Sequence, residues 1–155
     1  MELVINRCYG GFSLSPLAVQ ELAKRKGKKC FFFTYDCDKG YVPTTLEKLL
    51  SKRTLFFCAF SRADAPTLLN RSKDWGEMTT EERQAENALH DELDLPSRPP
   101  NRSDPDLIAV VRELGEAANG GCAELAIVSV PDGVEWEIDE YDGVEHVAET
   151  HRTWR

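Results

Sequence analysis

A chain of 155 residues, 41% hydrophobic and 30% charged, has a soluble globular composition and needs no disulfide or metal to build a core. Its net charge of −8 is uneven: residues 1–112 hold 17 Lys/Arg against 16 Asp/Glu, and residues 113–155 hold 2 against 11. That distribution disfavours general nucleic-acid binding, and no apolar run approaches the roughly 20 residues of a membrane span.

Read in chain order, Glu2 to Asn6 is a short β-branched run and the first expected strand. A loop, Arg7 to Leu14, leads to Ser15-Pro16, an N-cap with proline at the first helical position. Leu17, Ala18, Leu22 and Ala23 form the helical stripe, and Gly27 stops it. The basic cluster Lys24 to Lys29 then falls at a helix end, where it offsets the helix dipole. Cys30 to Tyr35 is the second expected strand, and strand–helix–strand predicts a right-handed parallel crossover.

Thr44 or Thr45 caps a short helix through Leu46, Leu49 and Leu50, and Thr54 to Phe60 reads as a third, central strand. Ser61 to Met78 reads as irregular. Thr79-Thr80-Glu81-Glu82 is a capping box that opens a polar helix to about Leu93. Prolines mark Leu95 to Ser103 as a surface connection, and Asp104-Pro105 starts a helix through Leu107, Ile108, Val111 and Leu114. Asn119-Gly120-Gly121 is its expected end. Glu124 to Val130 is a strand, Pro131-Asp132-Gly133 turns, and a hairpin follows.

The expected fold is one α+β domain: a mixed sheet with an N-terminal βαβ crossover, packed helices and a C-terminal antiparallel hairpin. Its parts are a βαβ-like half (1–60), a polar helix with connections (61–103), and a helix plus hairpin (104–155). The opening residues lack a basic-then-apolar leader, and the five cysteines are odd in number and widely spaced. Both set the expectation of reduced thiols in a cytoplasm. Cys30, Cys58 and Cys122 read as buried packing residues. Cys8, beside a glycine pair, is the one to test for reactivity.

The motifs Arg102-Ser103-Asp104-Pro105-Asp106-Leu107-Ile108, Val130-Pro131-Asp132-Gly133-Val134-Glu135-Trp136 and Glu140-Tyr141-Asp142-Gly143, followed by Glu145, Glu149, His151-Arg152 and Trp154, resemble a domain of small bacteriophage and prophage proteins of unassigned function. The opening Asn6-Arg7-Cys8-Tyr9-Gly10-Gly11-Phe12-Ser13-Leu14-Ser15 resembles the N-terminus of the same proteins. Arg112 departs from that pattern, which leads one to expect an acidic residue. The resemblance implies a phage accessory gene and supplies no enzyme activity.

Three constellations are candidates for chemistry. Asp142-Gly143 as a two-residue turn pairs Tyr141 with Val144, Glu140 with Glu145, Asp139 with His146, Ile138 with Val147 and Trp136 with Glu149. Val134, Trp136, Ile138 and Val147 then share an expected core face with Glu140, Glu145 and Glu149. Opposed carboxylates repel unless they are solvated, bridged by Arg152 or Arg102, bound to a cation, or share a proton. Asp139 beside His146 is either an exposed ion pair or an oriented general base. The tail residues His151, Arg152 and Trp154 either plug the core or present a cation and a ring to a ligand. Cys8 could use His151 as a base only if the chain ends meet. Between a strand and a helix start, Tyr9, Gly10, Gly11, Phe12 and Ser13 suit a nucleotide-like ligand, although neither G-x-G-x-x-G nor Gly-Lys-Ser/Thr is present.

The resulting expectation is a phage accessory protein in the host cytoplasm. It acts by binding a host factor, such as a bacterial defence component, or a small nucleotide-like ligand. The alternatives are an enzyme using Glu140/Glu145 or Asp139/His146, with or without a divalent cation, and a structural or assembly protein. No cofactor and no dedicated metal site is expected.

Overall fold

The computed structural model describes residues 1–52, 56–69 and 75–150. Its strands are β1 (Glu2–Asn6), β2 (Phe31–Asp36), β3 (Gly40–Thr44), β4 (Cys58–Phe60), β5 (Leu125–Ser129), β6 (Trp136–Tyr141) and β7 (Val144–Glu149). Its helices are α1 (Pro16–Arg25), α2 (Leu46–Ser51), α3 (Ala65–Leu68), α4 (Thr80–Leu93) and α5 (Pro105–Leu114). Among the described residues, no helix is long and apolar enough to cross a membrane.

The chain is α+β with a C-terminal hairpin, as the sequence predicts, but the parallel crossover is absent. β1 pairs antiparallel with β5, from Glu2 opposite Ser129 to Asn6 opposite Leu125. β2 lies in a separate sheet of order β3-β2-β4, and every strand pairing among the described residues is antiparallel. The reason is local. Asp36 Oδ1 accepts from the Asp38 and Lys39 amides at 2.9 and 3.0 Å, and Gly40 adopts φ 71°. This tight turn gives β2 a neighbour at once, and β4 takes its other edge. β3 had no counterpart in the sequence reading. The central strand of this sheet is β2; β4 sits to one side, and residues 54 and 55 of the predicted third strand lie outside the described residues.

Helix starts follow the capping chemistry. The Ser15 hydroxyl accepts from Ala18 N, Thr45 from Lys48 N and Asp104 from Asp106 N. Thr79 and Glu82 form the reciprocal capping box at the start of α4. α5 stops earlier than Asn119: Gly115, at φ 54°, ends it, and a 3-10 turn over Gly115–Ala118 follows. Within the predicted irregular stretch, α3 and a 3-10 turn at Trp75–Glu77 are ordered elements.

The main core joins β1 to α1 and α5 through Val4, Val19, Leu107, Val110 and Val111, with Phe32 entering from β2. Alternation along β2 sends Phe33 to the opposite side, where it meets Phe60, Ala65 and Leu93. The basic end of α1 is tied to α5: Arg25 pairs with Glu113 at 2.5 Å and Lys26 with Asp104 at 2.6 Å. Arg112 pairs with Glu2 of β1 at 2.7 Å. Cys30 and Cys58 are half-buried, whereas Cys122 is exposed and is not a packing residue. Burial pushes the Cys30 thiol up to about 11.

Candidate functional site

The β6–β7 hairpin has the predicted register in full: Tyr141 faces Val144, Glu140 faces Glu145, Asp139 faces His146, and Trp136 faces Glu149. Asp142 at φ 50° and Gly143 at φ 86° make the two-residue turn that this register requires. The apolar face is not a core face. Val134, Trp136, Ile138 and Val147 are only half-buried and belong to neither core cluster. The hairpin's buried residues are Gly143 and Glu145, both near its turn. The hairpin therefore meets the domain at its tip rather than along its length.

Glycine makes that meeting possible. A Cβ on Gly143 would collide with the Gly11 amide nitrogen, and one on Gly10 would stand 2.7 Å from the Cβ of Cys122. The Gly10 amide donates to the Asp142 carbonyl at 3.4 Å. The glycine pair thus packs backbone against backbone on the hairpin turn, with Gly11 half-buried and Gly10 still exposed at the cleft.

Asn6 is the hub of the junction and is fully buried. Its side-chain amide donates to the carbonyls of Cys8 at 2.5 Å and Gly143 at 2.6 Å, and its Oδ1 accepts from Glu124 N at 2.8 Å. The Asn6 backbone amide donates to Glu145 Oε2 at 2.9 Å. Arg102 completes the site with an ion pair to Glu145 Oε1 at 3.0 Å, while its guanidinium lies 3.4 Å from the centroid of the Phe12 ring. Burial pulls the Arg102 guanidinium below its ordinary range, and the Glu145 charge and hydrogen bond oppose that.

This resolves the opposed carboxylates. Glu145, 8% exposed, is held by Arg102 and the Asn6 amide. Glu140 is exposed and accepts from the Gly143 amide at 2.9 Å. Of the two bridges considered, Arg102 is the one observed; Arg152 lies outside the described residues, as do His151 and Trp154. Asp139 and His146 meet at 3.5 Å on the outer face with both side chains more than half exposed, an open cross-strand pair. No group of three or more His, Cys, Asp or Glu side chains among the described residues could hold a metal ion.

The glycine loop and the hairpin line one cleft of about 350 Å³. Gly10, Gly11 and Phe12 form one wall, Glu140, Asp142, Gly143 and Glu145 another, and Arg98 and Arg102 a third. Tyr9 and Tyr141, each preceding a cleft residue, stand 67% and 78% exposed. Phe12 is buried beneath Arg102. Ser13 does not line this cleft; it faces a neighbouring cavity. Asn6 and Arg98 are not among the site residues expected from the sequence. Asn6 reads as an ordinary strand end, and only an asparagine closing a β-branched run before Gly-Gly could have hinted at a buried amide.

The chain matches no family model, no curated protein and no solved structure with which it was compared.

Proposed function

We propose that this is a phage accessory protein that acts in the host cytoplasm by binding a basic surface of a host protein, such as a defence component. The phage assignment rests on the sequence motifs at both ends of the chain. The binding mode rests on one observation above the others: Tyr9 and Tyr141 are exposed beside a cleft edged by carboxylates. Exposed tyrosines are preferred anchors of protein interfaces, because they bury large area at low entropic cost.

Charge supports the same reading. Residues 130–150 carry eight Asp/Glu and no Lys or Arg. Glu145 is neutralised by Arg102 within the fold, while Glu135, Glu137, Glu140, Asp142 and Glu149 are all exposed. A surface of this sign steers and selects basic partners and repels acidic ones. The cleft would accept a lysine or arginine side chain of the partner at its Glu140–Asp142 edge.

The test is capture from host lysate with immobilised protein, comparing wild type with Tyr141→Ser and Asp142→Asn. Asparagine keeps the left-handed turn conformation and removes only the charge. The expected result is a host protein retained by wild type, released by moderate salt, and lost in Tyr141→Ser. An empty capture, or a partner held equally by all three proteins, would overturn the proposal.

A further inference from the structure

A second cavity of about 660 Å³ is also lined by Gly10. Its size is that of a small-molecule site. One wall is apolar and anchored. Leu49 of α2 is 2% exposed, and the Phe57 ring packs edge-on against Phe32 with centroids 5.8 Å apart. At its rim, Phe56 is 86% exposed, an unusual position for a phenylalanine that covers nothing.

Asn119, Gly120, Gly121 and Cys122 also line the cavity. The Gly120 amide donates to the Ser13 carbonyl at 2.9 Å, and a Cβ on Gly120 would collide with the Ser13 hydroxyl. Gly120 and Ser13 therefore pack in direct contact where both line the cavity. The Ser15 hydroxyl is already committed: it donates to the Ala117 carbonyl at 2.6 Å and caps α1 at 3.2 Å. Ser13 is left to offer a hydroxyl.

The charge of the cavity is opposite to that of the protein. The chain carries −8, yet among the described residues no Asp or Glu lines this space, and Arg98 does. Arg98 is exposed and makes no ion pair among the described residues. Aromatic rings, a glycine-containing backbone stretch and one available guanidinium in one cavity suit a ligand with a planar apolar body and a negative group.

We propose that this cavity binds a planar aromatic anion of mononucleotide size, with the ring between the Phe56–Phe57 wall and the Gly120 backbone and the anionic group on Arg98. The site shares Gly10 and Arg98 with the hairpin cleft but does not depend on the protein-binding reading.

The experiment is calorimetric titration of the full chain with AMP, GMP, CMP and UMP, and with adenosine and guanosine. At least one nucleotide should bind with Kd below about 1 mM, and its nucleoside about tenfold more weakly or worse. Arg98→Ala, a change at an exposed side chain, should weaken that nucleotide by about tenfold and abolish the preference over the nucleoside. Tyr141→Ser, outside the cavity, should leave the Kd unchanged, so failure here and failure of the hairpin interface are read separately. The proposal is overturned if no nucleotide binds up to about 5 mM, or if Arg98→Ala binds as wild type does.

Discussion

The loop–hairpin junction and the β3-β2-β4 sheet are built on opposite principles. In the junction, a buried asparagine and three glycines join segments more than 130 residues apart in sequence, and an ion pair adds Arg102 to them. In the sheet, rings do the joining. Phe33, Tyr41 and Phe60 lie 5.5 to 6.4 Å apart by centroid, and Phe60 also meets His90 edge-on. Polar contacts are directional, so the junction has one geometry and fails abruptly when a partner is removed. Ring packing is less directional and fails in proportion to the volume lost. The functional proposals fall around the first region, where geometry is specified most tightly.

The largest effects should come from removing one member of each system. Glu145→Ala strands the Arg102 charge and the Asn6 amide and should cost about 3–5 kcal/mol by urea unfolding. Phe60→Ala should cost a similar amount, about 3–5 kcal/mol, through the cavity it leaves. A second substitution separates the two. Arg102→Met combined with Glu145→Met should recover much of the Glu145→Ala loss, since an apolar pair replaces a buried ion pair at little cost. A double variant no more stable than Glu145→Ala would mean that the stranded charge is not what holds the junction.

Gly143→Ala tests the backbone contact. It should cost roughly 2–4 kcal/mol, because it combines a left-handed backbone with a collision at Gly11. Gly133→Ala is the control: its φ of 82° is almost the same, but nothing lies within 4 Å. It should cost only about 1–2 kcal/mol. Equal costs in the two variants would show that the hairpin tip is not seated on the glycine loop.

The smallest effect belongs to the aromatic side. Asp94 bridges to Phe60 beside β4, and burial raises its carboxyl above the ordinary aspartate range. A folded pKa above the unfolded one means that the ionised form opposes folding. Stability should therefore rise as pH falls through the folded pKa towards about 4. Asp94→Asn should match or exceed wild-type melting temperature at pH 7 and lose that advantage near pH 4. A variant less stable than wild type at pH 7 would place Asp94 among the stabilising contacts instead.

Much of this was legible in the letters. Ser15-Pro16, Thr45, Thr79 with Glu82, and Asp104-Pro105 start helices because the required chemistry lies within three residues of each start. The register of β6–β7 follows from Asp142-Gly143 for the same reason. The pairing of β1 with β5 was not legible, nor was the isolation of β2 in its own sheet, because strand partners are chosen between distant segments by what buries best. The candidate site divides along the same line. The sequence by itself determined the turn, the opposed Glu140 and Glu145, and the glycine pair. Only the tertiary structure decided that Glu145 would be buried against Arg102 and Asn6, that Gly10 and Gly11 would pack against the hairpin, and that Arg98 would be left between two clefts. Local hydrogen bonding fixes the first group; burial, which depends on every other segment, fixes the second.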